Sequence, residues 1–365
     1  VLQQLLALQL QLRQLQQQLS PYQMYTVNEV SMTHLTTLTA FTSLAWPIGL
    51  PLHLPTQLQT AQLCALFSSQ LDALFSLQQL QRLCFVVMID NQEPLLRLTQ
   101  LPALQELSLS YEAALDAATT APVWRQLPQL LELCVGYDCN AASVRQLARI
   151  TAAAAAATGL TKLQLIGESS YHDEPHMYDS SESDSSDDEY VDEPESLCSS
   201  LARLPLLRDL SIIKGLPAPE MPPGNWLAAD GVRALTVLTG LTRLVLVNRD
   251  GWFDAITGGD LNVAALVRSL THLQELQLES CDTYRAQCMA AIDRLTQLTR
   301  LRLADPIQWP DEASQQGLLL LSGLSSLRRL QLCSVEKVAG GVLNSLRASL
   351  PEARIRWYKW VDESE

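Results

Sequence analysis

The chain has little of what usually carries chemistry. It holds 5 histidines and 8 cysteines in 365 residues. No Cys-x-x-Cys pair and no Cys/His grouping with zinc spacing occurs, so no metal is implied. Eight cysteines over this length are too few for a disulfide scaffold. Reduced thiols in an intracellular setting, cytoplasm or nucleus, are the simplest expectation. Glycine-rich phosphate loops, Gly-x-Ser-x-Gly elbows and His-Glu-x-x-His motifs are lacking as well. The sequence therefore points away from an enzyme and implies no cofactor. No apolar run approaches the ~18 residues of a membrane span. Glutamines interrupt every apolar stretch at the start that could serve as a signal peptide. Positive charge is short too: 25 Lys+Arg stand against 39 Asp+Glu, a net charge of −14, which disfavours a nucleic-acid partner.

The acidity is local. Residues 168–195 carry 12 carboxylates and no Lys or Arg. Without them, 27 acidic residues face 25 basic ones and the body is nearly neutral. The segment 168–196 also holds eight serines, and such a composition cannot bury enough apolar surface to offset its ordering entropy. It reads as a disordered acidic insertion. Ser181, Ser185 and Ser186 each have a carboxylate three residues on, the pattern of acid-directed phosphorylation. His172 and His176 stand four apart within it, a weak metal signal in such a context.

What is abundant is leucine at a fixed spacing. Leu-x-x-Leu-x-x-Leu-x-Leu recurs, most clearly at Leu238-Leu241-Leu244-Leu246, Leu270-Leu273-Leu276-Leu278, Leu295-Leu298-Leu301-Leu303 and Leu324-Leu327-Leu330-Leu332. Earlier copies run through Leu83, Leu107, Leu133, Leu163 and Leu210. A degenerate first copy is read at Leu38-Phe41-Leu44-Trp46 and a shortened last one at Ile355-x-Trp357. The step from 44 to 83 is too long and leaves room for a lost repeat around Leu58–Leu66. The terminal Leu-x-Leu alternates as a short strand must. Asp260, Asp282 and Asn140 precede helix-like stretches.

This pattern resembles the leucine-rich repeat family, over residues 35–360, in about 10–11 irregular copies. The resemblance implies an α/β solenoid, similar to the ribonuclease-inhibitor-like horseshoe, with a parallel sheet on the concave face and helices on the convex face. It departs from the family in lacking the Asn or Cys expected just after the strand, so a continuous side-chain ladder there is not expected. Residues 1–34 form an N-terminal Leu/Gln-rich helix and cap. Within them, residues 1–19 follow a heptad seam that caps the first repeat or serves self-association. Residues 361–365 are an acidic tail.

Strand residues pointing away from the core form the candidate partner-binding surface. The residue before each central leucine is Arg82, Glu106, Glu132, Lys162, Asp209, Arg243, Glu275, Arg300 or Arg329, and from Glu132 to Arg300 the sign alternates. Arg300, Arg302 and Arg329 form an expected unpaired basic excess. Ile166, Ile213, Val245 and Val247 form an expected solvent-facing apolar group beside Lys162, Asp209 and Arg243. Cys84 and Cys134 project from the same face, two repeats apart and beyond disulfide reach. Trp252, Tyr284 and Trp309 fall six residues after successive strand leucines, as core packing or as an exposed row. These features imply a protein–protein interaction scaffold with a protein partner held on the concave face. The alternative is the substrate-recognition subunit of a ubiquitin ligase, which needs an F-box in addition.

Overall fold

The structure, a computed structural model, describes residues 30–31, 39–43, 52–63, 71–86, 93–111, 117–138, 151–168, 197–214, 235–248, 260–279, 286–305, 312–334 and 338–359. Fourteen strands occur among them: β1 (Val30–Ser31), β2 (Ala40–Ser43), β3 (Leu52–His53), β4 (Thr60–Leu63), β5 (Arg82–Val86), β6 (Glu106–Tyr111), β7 (Glu132–Asp138), β8 (Lys162–Glu168), β9 (Asp209–Lys214), β10 (Arg243–Asn248), β11 (Glu275–Glu279), β12 (Arg300–Asp305), β13 (Arg329–Ser334) and β14 (Arg354–Lys359). β1 and β3 form a two-residue parallel pair. The other 12 make one sheet in strict chain order, β2-β4-β5 and onward to β14, every pairing parallel.

The leucine spacing explains the turn that leads into each strand. Leu77 N–H donates to the Leu74 carbonyl at 3.0 Å, and Leu80 N–H to that of Leu77 at 3.2 Å. The same step of three recurs at Leu98–Leu101–Leu104 and at Leu235–Leu238–Leu241. Bonds between residues three apart give about 3 residues per turn, which eclipses side chains i and i+3. A leucine at every third position therefore stacks on one side. Leu77, Leu80, Leu101, Leu104 and Leu241 are all fully buried. The strand leucines then alternate inward, and Leu244, Leu246, Leu276 and Leu278 are at most 1% exposed.

A second regularity locks one repeat to the next. The Gln81 carbonyl accepts two N–H groups, from Gln105 at 2.8 Å and Glu106 at 2.9 Å. The carbonyls of Gln105, Leu131, Thr161, Arg208, Thr242, Gln274 and Thr299 each do the same for the following repeat. The hydroxyls of Thr161, Thr242 and Thr299 donate to those of Leu131, Arg208 and Gln274 at 3.1, 3.1 and 2.9 Å. This ladder lies where the chain enters each strand and satisfies backbone groups next to the buried leucines. It needs no Asn or Cys column.

Helices cover the inner face. Asp260–Ser269, Ala286–Ile292 and Gly340–Ser349 bury Leu266, Val267, Met289, Ile292 and Leu346 against the strand leucines. Asp260, expected to precede a helix, is its first residue. Trp124, in the helix Ala117–Arg125, is the largest fully buried side chain. Among the described residues no helix is long and apolar enough to cross a membrane.

The expected α/β solenoid is therefore found, with a correction at its start. β4 is the repeat missing between the first two copies, and Ala61 occupies the central leucine position beside Leu83, 1% exposed. β2 pairs Phe41, not Leu44, with Ala61. The steps become 20 and 22 residues, since the positions are 41, 61 and 83. Alanine is small enough to be buried there but does not mark the leucine pattern. The shortened last copy is β14, with Ile355 and Trp357 half-buried. The N-terminal helix at 1–19, the acidic segment 169–196, the aromatics Trp252, Tyr284 and Trp309, and the tail 361–365 lie outside the described residues.

Two pairs of variants test this packing. Leu276→Asp puts a carboxylate at a 1% exposed site and is expected to cost several kcal/mol, roughly 2–7. Leu206→Asp, at a 53% exposed turn site, should leave the unfolding temperature unchanged. Equal unfolding temperatures for the two would show the register to be wrong. A Cβ on Gly159 would lie 2.7 Å from the Pro128 carbonyl oxygen of the preceding repeat, whereas one on Gly240 would lie 3.9 Å from that of Leu207. Gly159→Ala should thus destabilise by about 1–3 kcal/mol, with Gly240→Ala close to neutral, in thermal denaturation.

Candidate functional site

In-register pairing turns each strand position into a straight column across the sheet. The first outward column runs Arg82, Glu106, Glu132, Lys162, Asp209, Arg243, Glu275, Arg300, Arg329 and Arg354. Most neighbours of opposite sign pair: Arg82–Glu106 at 2.7 Å, Lys162–Glu132 at 2.8 Å, Arg243–Asp209 at 2.8 Å, Arg243–Glu275 at 3.2 Å and Arg300–Glu275 at 3.3 Å. Burial opposes the charge on Arg243, but hydrogen bonds and attraction from Asp209 and Glu275 outweigh it and raise the guanidinium above its ordinary pKa. Each exposed pair contributes ~0–1 kcal/mol. The column therefore sets surface pattern more than stability.

The apolar group is where expectation and structure part. Ile166, Ile213 and Val247 do share a column, with Val245 in the one before. Ile166 and Ile213 are half-buried, but Val245 is 2% and Val247 4% exposed. These two valines are not solvent-facing. Long side chains on the next strands crowd the same face. Gln277 and Glu279 sit beside Val245 and Val247 in register, Gln277 Nε2 donates to Glu279 Oε1 at 2.7 Å, and Arg302 Nε lies 2.6 Å from the same oxygen. Ser211, on the other side of Val245, is 2% exposed as well.

Glu279 is the residue that the repeat pattern passes over. It is 6% exposed, and a carboxylate at that depth is unfavourable without a paired cation. Arg302 supplies that cation, so Arg302 is not part of an unpaired excess. Arg300, which pairs with Glu275, is not either. Next to them, burial pushes the Cys333 thiol pKa up, Arg302 lowers it and Glu279 raises it.

The basic excess lies one strand further on. The outward side chains of β12, β13 and β14 are Arg300, Arg302, Ala304, Arg329, Gln331, Cys333, Arg354, Arg356 and Tyr358. Five are arginines and none is acidic. Arg329 and Arg354 are exposed and make no ion pair among the described residues. Arg356 Nη1 donates to the Tyr358 hydroxyl at 3.2 Å, and that bond lowers the phenol pKa. Trp357 Nε1 donates to Ser334 Oγ at 3.0 Å and holds β14 against β13. The leucine pattern fades at β14, which is why Arg354 and Arg356 escaped the sequence reading.

At the other end, small side chains leave a groove of about 210 Å³. Cys84, Ser108, Cys134 and Gln164 line its floor, and Arg82, Glu106, Glu132 and Lys162 its rim. It brings Cys84 and Cys134 to one surface, with Ser108 on the strand between. The described residues hold no group of three or more His, Cys, Asp or Glu arranged for a metal. The centre of the face is thus closed at Val245 and Val247, with an open groove before it and an open basic corner after it.

The leucine repeat, its turns of three residues and the in-register parallel sheet define the architecture of this chain: an α/β solenoid built of leucine-rich repeats. No family model and no curated protein sequence matches it. Solved structures to which this chain is similar include the leucine-rich-repeat ectodomain of the plant membrane receptor kinase GASSHO1/SCHENGEN3 from Arabidopsis thaliana, in complex with Casparian strip integrity factor 2. It is 12% identical, with a TM-score of 0.35, over 89% of this chain and 35% of that one. TLR13 in complex with ssRNA13 is 15% identical, with a TM-score of 0.42, over 91% and 44%. Rad7 of the yeast Rad7–Elc1 complex is 14% identical, with a TM-score of 0.38, over 84% and 75%. The chain spans about a third of the first and under half of the second.

The burial of this face is testable. Arg302→Ala should destabilise by about 1–3 kcal/mol, because Glu279 loses its paired cation. Adding Glu279→Gln should recover part of that loss. A double variant less stable than Arg302→Ala would exclude the pairing. Val245→Asp should lower the unfolding temperature sharply, since that side chain does not reach solvent.

Proposed function

We propose that this chain is a non-enzymatic scaffold that binds a partner protein on the outward, concave face of its sheet. The observation that carries this reading is the column of charges fixed on ten successive rigid strands, paired along most of its length and open to solvent at both ends. Side chains held on strands lose little freedom when a partner docks. Charges in a fixed sequence of signs favour one register over others. Lys162, Asp209 and Arg243, with Ile166 and Ile213, contribute the middle of the contact, while Arg300, Arg302 and Arg329 contribute its far end. Val245 and Val247 support these strands from within and do not touch the partner. Nucleic acid is not the proposed partner, given the net charge of −14. The proposed setting is intracellular, cytoplasm or nucleus, on the low cysteine count of the sequence. A substrate receptor of a ubiquitin ligase would be one instance of such a scaffold.

The test is affinity capture with the immobilised full chain. Ser108→Trp fills the groove and Ile166→Asp charges the half-buried column shared with Ile213, and both should reduce capture without lowering the unfolding temperature. Gln287→Asp and Arg294→Asp, exposed on the helical side, should leave capture intact. Loss of capture in the helical-side variants alone would move the interface to the helices and end the concave reading.

A further inference from the structure

The charge column is balanced along most of the sheet, and then it stops being so. From Arg82 to Glu275 it holds three cations and four carboxylates. From Arg300 onward it holds Arg300, Arg329 and Arg354 in succession. Adjacent strands are ~4.8 Å apart, so these three guanidinium groups span roughly 10 Å on one face. The next column adds Arg356. Like charges at this spacing repel one another, and among the described residues only Arg300 of the three pairs with a carboxylate. The corner thus keeps a standing demand for negative charge. Tyr358, 40% exposed, lies beside Arg356 and offers a flat amphipathic contact of the kind common at protein interfaces.

We propose that the outward corner of β12–β14, formed by Arg300, Arg329, Arg354 and Arg356 with Tyr358, docks a partner polypeptide segment rich in Asp and Glu. The proposal deepens the scaffold reading and rests on it, since it names the chemistry of the partner at one end of the same face. An acidic chain crossing the strands meets a cation at each one. A peptide suits the corner better than a nucleic acid for two reasons. The cationic strip is short and bordered by Glu275 and Glu279, so a long polyanion would run from it onto carboxylates. Peptide carboxylates can bind one arginine each without aligning a continuous phosphate backbone along the strip.

The probe is a fluorescein-labelled octaglutamate, followed by anisotropy with the full chain at low ionic strength, about 0.05 M. Saturable binding is expected, weakening as salt rises. Arg329→Glu with Arg354→Glu should weaken it by at least about tenfold. Arg294→Glu with Arg347→Glu, on the helical side, changes the net charge equally and should have little effect. Equal weakening by the two double variants, or no binding to the parent, overturns the proposal. Tighter binding of an octathymidylate than of the octaglutamate would assign the corner to nucleic acid and overturn it as well. Stronger octaglutamate binding after deletion of residues 170–194 would show that the chain's own acidic segment fills the corner, and the claim of a partner would fall. Ser108→Trp separates this proposal from the broader one. If it blocks capture of the partner while octaglutamate fails to bind the parent, the scaffold reading stands and the acidic partner does not.

Discussion

Everything in this fold depends on the shared carbonyl at the entrance to each strand. One oxygen, such as that of Gln81 or Thr242, accepts two N–H groups from the following repeat. The buried leucines hold that ladder in register, since in a sheet a slip of one residue would turn every inward side chain outward. With the register fixed, the leucines of successive repeats fall in line and close a continuous core. The side chains between them fall in line on the other face. Core and surface are thus two readings of a single hydrogen-bond pattern.

That pattern shapes the electrostatics of the concave face. Five of the six neighbouring pairs of opposite sign meet at 2.7–3.3 Å, as at Arg82–Glu106 and Arg300–Glu275, with Lys162 and Asp209 the exception. Where they agree in sign, as along Arg300, Arg329 and Arg354, no carboxylate lies between them in the column and the potential accumulates. Among the described residues strand β14 is also a sheet edge, and Arg354, Arg356 and Lys359 place positive charge along it. Charge at an edge discourages pairing with another strand. The surface near β14 is therefore suited to side-chain recognition more than to extension of the sheet.

The sequence made the architecture legible because leucine at steps of three, then two, has a direct geometric meaning. The first step closes a tight turn and the second alternates a strand. The charged column was legible for the same reason, being one residue from a leucine in every copy. Three features were not. Ala61 holds a repeat together without a leucine, since a small side chain also satisfies a narrow interior. Arg354 and Arg356 lie where Ile355 and Trp357 replace the leucines. The burial of Val245 and Val247 depends on how far Gln277, Glu279 and Arg302 reach across the face, and the length and direction of a side chain are not visible in its spacing.

The alternation of sign from Glu132 to Arg300 has a period of two repeats, while the backbone ladder has a period of one. Loss or duplication of a single repeat within this stretch would leave the ladder intact and yet set two like charges side by side. Removing Arg243, for example, would place Asp209 against Glu275. Changes by two repeats preserve both patterns. Between Glu132 and Arg300 the array can thus lengthen or shorten only in even steps if the alternation of sign is to be kept, a parity set by side chains that do little to hold it together.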